Sequence, residues 1–122
     1  MPRIVHFEIP AKEPEKVGKF YERVFGWKIK KWDGPMDYWL VTTGKDNEPG
    51  INGGITKKTA PVTVTTNTIG VPSVDDYVKK IIKEGGKVIA PKMEVMGQGW
   101  LAYCQDVEGN VFGIMESTMQ PK

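Results

Sequence analysis

Side chains with strong chemistry of their own are scarce in this chain. There is one cysteine, Cys104, and one histidine, His6, in 122 residues. A single cysteine excludes an internal disulfide and any metal site assembled from several thiolates. As a nucleophile, Cys104 would need a nearby base and a setting that stabilises thiolate. The one histidine falls on a distant strand, so Cys104 reads as a small buried hydrophobe. No phosphate loop, no G-x-S-x-G elbow and no carboxylate pair at helical spacing occurs, and there is no N-x-S/T acceptor. No apolar run approaches the roughly 18 residues of a membrane span. The opening MPRIVHFEIP has no basic segment followed by an apolar core, so it does not read as a signal peptide. A formal net charge of +2 gives no basic footprint for nucleic acid. The densest basic stretch, Lys28, Lys30 and Lys31, reads as the solvated face of a strand, with phosphate binding as the alternative. A cytoplasmic protein without nucleic-acid or membrane partners is the expectation.

Present instead is an ordinary globular composition, 39% hydrophobic and 26% charged, at the length of a single domain over residues 1–122. Residues 3–9 alternate with period two and carry β-branched and aromatic side chains, a strand pattern. Pro14 suits a first helical turn; Val17, Phe20, Tyr21 and Val24 follow at helical spacing, and Gly26 ends the helix. Strands are predicted at 27–32, 38–43 and 51–56. The second half repeats this order. A strand pattern covers 62–71, and Ser73 with Asp76 forms a capping-box-like start. Val74, Tyr77, Val78, Ile81 and Ile82 make an apolar stripe that Gly85 and Gly86 terminate. Strands follow at 87–90, 100–105 and 110–116. The landmarks match at about sixty residues: Gly26 with Gly86, Ile29 with Ile89, Trp39-Leu40 with Trp100-Leu101, and Gly54-Ile55 with Gly113-Ile114. The fold class is therefore α+β, two tandem βαβββ units of about 1–58 and 62–118.

Three stretches carry a family likeness: residues 5–29 (VHFEIPAKEPEKVGKFYERVFGWKI), 70–92 (GVPSVDDYVKKIIKEGGKVIAPK) and 106–116 (DVEGNVFGIME). They resemble the vicinal oxygen chelate superfamily of glyoxalase I, bleomycin-resistance proteins and extradiol dioxygenases, and most of all its glyoxalase-related proteins of unassigned activity. The resemblance implies that each unit curls into a half-barrel with its helix outside, that the two enclose a ligand cleft, and that the chain pairs as a homodimer. In metal-dependent members, the first and fourth strands of each unit supply one ligand apiece to a divalent cation acting as a Lewis acid.

Carried onto this chain, those four positions fall on His6, Thr66, Gly54 and Gly113. Glycine has no side-chain donor and a threonine hydroxyl is a poor one, so no metal or other cofactor is expected. The alternative is a rearranged metal site on His6 and Glu8, which share a strand face, joined by Asn52 on the face of Gly54. His6 is otherwise a hydrogen-bonded pocket residue, or an acid–base group with a pKa near 6.5. Gly54, Gly70 and Gly113 interrupt strand patterns and mark either a close approach that widens the cleft or corners of the barrel. The expected cleft lining is His6, Glu8, Trp39, Asn52, Gly54, Thr66, Thr68, Trp100 and Gly113, the two tryptophans being repeat mates that read as aromatic walls or as core. Residues 91–100, with two methionines and two glycines, read as a loop or as a lid over the cleft. Two functions fit these residues. One is metal-independent binding of a small molecule, as in the bleomycin-resistance branch. The other is a metal-dependent, glyoxalase-like lyase, isomerase or dioxygenase built around His6 and Glu8.

Overall fold

The computed structural model describes residues 2–117; the outer limits expected at residues 1 and 118–122 lie outside them. The element order is β1 (Arg3–Ala11), α1 (Pro14–Phe25), β2 (Lys28–Lys31), β3 (Tyr38–Thr42), β4 (Gly53–Lys57), β5 (Thr66–Gly70), α2 (Val74–Lys83), β6 (Lys87–Val95), β7 (Gly99–Gln105) and β8 (Val111–Ser117). This is an α+β chain with two βαβββ sequences. Residues group into two compact units: one is His6–Thr65, and the other takes Thr66 onward together with the chain's first residues through Val5. No helix among the described residues is long and apolar enough to cross a membrane.

In the first unit the strand order is β2-β3-β4-β1. β1 runs parallel to β4, while β3 is antiparallel to both β4 and β2. Alternation then assigns the faces. Ile55, Trp39, Val41 and Ala11 pack as a buried cluster with Phe7, Ile9, Val17, Trp27 and Ile29, so this face receives α1. Pro14 opens α1, and Gly26 closes it at φ 72°, its N–H donating to the Glu22 carbonyl at 2.9 Å.

The helix meets the sheet along a different line from the one its apolar spacing suggests. Pro14 and Gly18 are its buried residues, and Gly18 lies tight against Ile29. Phe20 is two residues from Gly18, about 200° round the helix axis. It and Val24 are each 56% exposed, outside the core where the sequence pattern places them.

The second unit repeats the plan in the order β5-β8-β7-β6, with β5 parallel to β8 and the other pairs antiparallel. Val71, Val74, Ala102, Cys104 and Ile114 form its buried cluster, and Tyr77, Val78 and Ile81 bring α2 onto it. Ile82 faces out. The Ser73 hydroxyl accepts from the Asp76 N–H at 3.2 Å, and the Glu116 carboxylate of β8 accepts from the Val74 N–H at 2.9 Å. Two of the free donors at the start of α2 are thereby satisfied. Burial raises the Cys104 thiol above its ordinary pKa, which keeps it an unreactive thiol in the core.

Residues 91–95 continue β6, so what the sequence presents as a loop is mainly the outer part of a β6–β7 hairpin. The strand expected at 62–71 starts only at Thr66; Val62 makes an isolated bridge to Thr59 instead.

The repeat has one internal slip. Glu8 pairs with Gly54 as Thr68 pairs with Gly113, so the parallel strands keep the same register in both units. In the hairpins, Leu40 faces Gly54, whereas its repeat mate Leu101 faces Met115 and Gly113 faces Tyr103.

Candidate functional site

The first unit's sheet face opposite α1 carries His6 and Glu8 from β1, Gly54 from β4, and Tyr38 and Leu40 from β3. Glu8, Gly54 and Leu40 form one row across three strands. Position 54 has no side chain, and the Tyr38 ring and hydroxyl occupy the space a β-carbon there would take. From that place the Tyr38 hydroxyl shares a 2.6 Å hydrogen bond with His6 Nε2, and the two rings stack at 6.4 Å and 15°. Trp32 meets Tyr38 edge-on at 6.4 Å. Gly54 is thus the condition for the tyrosine–histidine pair. It marks a close approach, as its strand position suggests, but the approaching group is a side chain of the same unit.

Glu8 is buried beside this pair. Burial drives His6 below its ordinary pKa because the imidazolium loses water, while the Glu8 charge pulls in the opposite direction. The folded chain therefore favours neutral His6. As the pH falls below 6.5, the unfolded chain takes up this proton first, so stability declines from there to the lowered folded value and then levels. Glu8→Gln removes the opposing charge. It should lower the His6 titration point further and enlarge the acid-side loss of stability. Proton NMR reads this directly, since His6 is the only histidine; an unchanged or higher titration point would contradict the coupling.

The second unit offers a quieter counterpart. Thr66 and Thr68 are buried on β5. A β-carbon at Gly113 would lie 3.1 Å from Thr68 Oγ1, 3.4 Å from Leu101 and 3.5 Å from Tyr103. Both paired glycines are therefore closed over by neighbouring side chains.

Three of the expected lining residues lie elsewhere. Trp39 pairs with Ile55, one residue beyond Gly54, so it points to the α1 face and into the core. Trp100 pairs with Glu116 and packs with the α2-side cluster, with Lys92 Nζ 4.9 Å from the centre of its ring. Asn52 precedes β4, where strand alternation no longer fixes direction. It is exposed, and its Oδ1 accepts from the Thr43 N–H at 2.9 Å and the Thr43 hydroxyl at 3.3 Å, which ties down the β3–β4 loop. Tyr38 and Tyr103 are the residues that sequence reasoning missed. The available signal was parity: Tyr38 is two residues from Leu40, hence in phase with Gly54.

A four-ligand metal set does not fit these residues. Gly54 and Gly113 provide no donor, Thr66 provides only a hydroxyl, and the space at 54 holds the Tyr38 ring. Among the described residues no three of His, Cys, Asp and Glu gather closely enough to hold a metal ion.

The family model described as bleomycin resistance protein-like N-terminal matches residues 3–44. No curated protein sequence matches the chain. Among solved structures, a hypothetical protein from Bacillus halodurans C-125 aligns with a TM-score of 0.74 at 14% identity, covering 98% of this chain and 97% of its own. Methylmalonyl-CoA epimerase of Streptomyces coelicolor, in complex with 2-nitronate-propionyl-CoA, aligns at 0.72 and 14% identity, covering 98% and 99%. The epimerase from Mycobacterium tuberculosis aligns at 0.68 and 9% identity, covering 95% and 88%. At such identities the likeness establishes the fold.

Proposed function

Because this chain has the vicinal oxygen chelate fold, we propose that it binds a small organic molecule on the sheet face of His6, Glu8 and Tyr38, without a four-ligand metal centre. The observation that carries this reading is the Tyr38 hydroxyl lying over Gly54 in a 2.6 Å hydrogen bond with His6. A polar pair of this kind, flanked by a buried carboxylate and aromatic rings, can orient a ligand by hydrogen bonds while its apolar part rests on ring faces. The match to a bleomycin resistance protein-like model over residues 3–44, which include His6, Glu8 and Tyr38, is in keeping with a binding role for this face.

The test is a small-molecule screen read by NMR on protein purified without chelators, with its metal content measured alongside. Ligands should move the single His6 imidazole signal, and Tyr38→Phe should weaken them about five- to tenfold, the loss of one good hydrogen bond. Ligands that leave the His6 signal in place would move the site elsewhere. A stoichiometric divalent metal that is lost in His6→Ala would instead establish the glyoxalase-like, metal-dependent reading.

A further inference from the structure

One end of the first unit gathers lysines from four segments of the chain. β1, β2 and β4 run in the same direction, so all three finish at this end, where β3 and α1 begin. Lys12 follows β1, Lys31 closes β2, Lys57 closes β4, and Lys16 and Lys19 lie on the first turns of α1. With Glu13, Glu15 and Asp37 they line an open depression of about 670 Å³ beside Trp39. Five ammonium groups thus face three carboxylates, a surplus of two that equals the formal net charge of the whole chain.

The pairing inside the depression is uneven. Asp37 lies 3.4 Å from Lys31 and 3.3 Å from Lys57, and those two lysines hold its carboxyl below the ordinary carboxylate range. Lys12, Lys16 and Lys19 have no ion-pair partner among the described residues. No arginine lines the depression, so every cation in it is a lysine ammonium, a point charge that imposes no planar fork geometry on its ligand. Point charges on flexible stems, arriving from several directions, suit a multiply charged tetrahedral oxyanion.

We propose that this depression binds a phosphate-bearing small anion, either a free diphosphate or a phosphomonoester. It uses none of His6, Glu8 and Tyr38, so it is separate from the ligand face described above. Isothermal titration of the full chain with inorganic pyrophosphate, at ionic strength held constant with sodium chloride, should give saturable one-to-one binding and a raised melting temperature. The triple variant Lys12→Gln, Lys16→Gln, Lys19→Gln should bind at least about tenfold more weakly. Because all three side chains are exposed, the variant should keep the parent's melting temperature without ligand. Lys28→Gln with Lys30→Gln, outside the depression, should bind like the parent. Tighter binding of pyrophosphate than of glycerol phosphate identifies the free diphosphate as the source; the reverse identifies the monoester. The proposal is overturned by absence of saturable binding at millimolar ligand, by equal affinity in the parent and the triple variant, or by sulfate binding as tightly. Capture of anionic vesicles or RNA without pyrophosphate binding overturns it as well.

Discussion

Ile55→Ala should destabilise the protein by about 3–4 kcal/mol and lower its melting temperature by roughly 12–16 °C. Ile55 has no exposed surface, and on its strand it stands between Ile9 of β1 and Trp39 of β3. Truncation removes three carbons from the centre of the cluster that joins α1 to its sheet, and the flanking Trp39 and Val41 are held by their own strand pairing. Neither can collapse far into the space, so the cavity cost adds to the lost burial. Urea unfolding measures the change. A loss below about 1 kcal/mol would mean that the cluster closes over the gap and that this core is far more plastic than its packing implies. Ile55 also directly follows Gly54, so the His6 resonance should broaden as the strand beneath the tyrosine–histidine pair loosens.

Gly99→Ala should cost about 3–4 kcal/mol through the backbone. Gly99 has φ 144°, a conformation that L side chains rarely adopt, and a β-carbon there would fall onto the Glu116 carbonyl. A flexible side chain could move aside, but this carbonyl belongs to the β7–β8 ladder, in which Gly99 pairs with Ser117 and Trp100 with Glu116. Displacing it moves Glu116, whose carboxylate holds the Val74 N–H at the start of α2. Hydrogen exchange should therefore accelerate at Val74 as well as along the β7–β8 pairing. Protection that is lost along the hairpin but kept at Val74 would show that the cap does not depend on the register of that ladder.

Much of the architecture was legible in the sequence because its signals are local. Pro14 and Gly26 bracket α1, Ser73 caps α2, and the period-two runs give the strands. The paired landmarks from Gly26/Gly86 to Gly54/Gly113 give the duplication. The contact line of α1 was less legible. The side chains of Phe20 and Val24 have the right spacing for a core stripe, but the close fit of Gly18 on Ile29 turns the helix, and a glycine contributes nothing to an apolar pattern. The candidate site failed in the same way. Trp39 attracts attention by size and by its repeat mate, yet strand parity commits it to the helix side, while the less conspicuous Tyr38 crosses the empty position at Gly54. His6, Thr66, Gly54 and Gly113 could be matched through the repeat, and Glu8 through strand alternation from His6, because the parallel pairs β1/β4 and β5/β8 kept their register. Asn52 could not, because it lies just beyond a strand end and follows Thr43 instead.

The offset between the two hairpins, Leu40 opposite Gly54 but Leu101 opposite Met115, bears on how duplicated halves can drift apart. An offset of two residues returns every side chain to the face it started from, so Leu101 still projects on the side of Gly113 while Ala102 and Cys104 still enter the core. A one-residue offset would have inverted the strand, exposing Cys104 and burying Gln105. Divergence of the copies is thus quantised: insertions and deletions that change a hairpin's alignment by an even count are compatible with folding, and odd ones are eliminated unless a bulge restores the phase. For this architecture, the parity of the residue count between a hairpin's strands is what folding constrains, while the count itself is free to change by two.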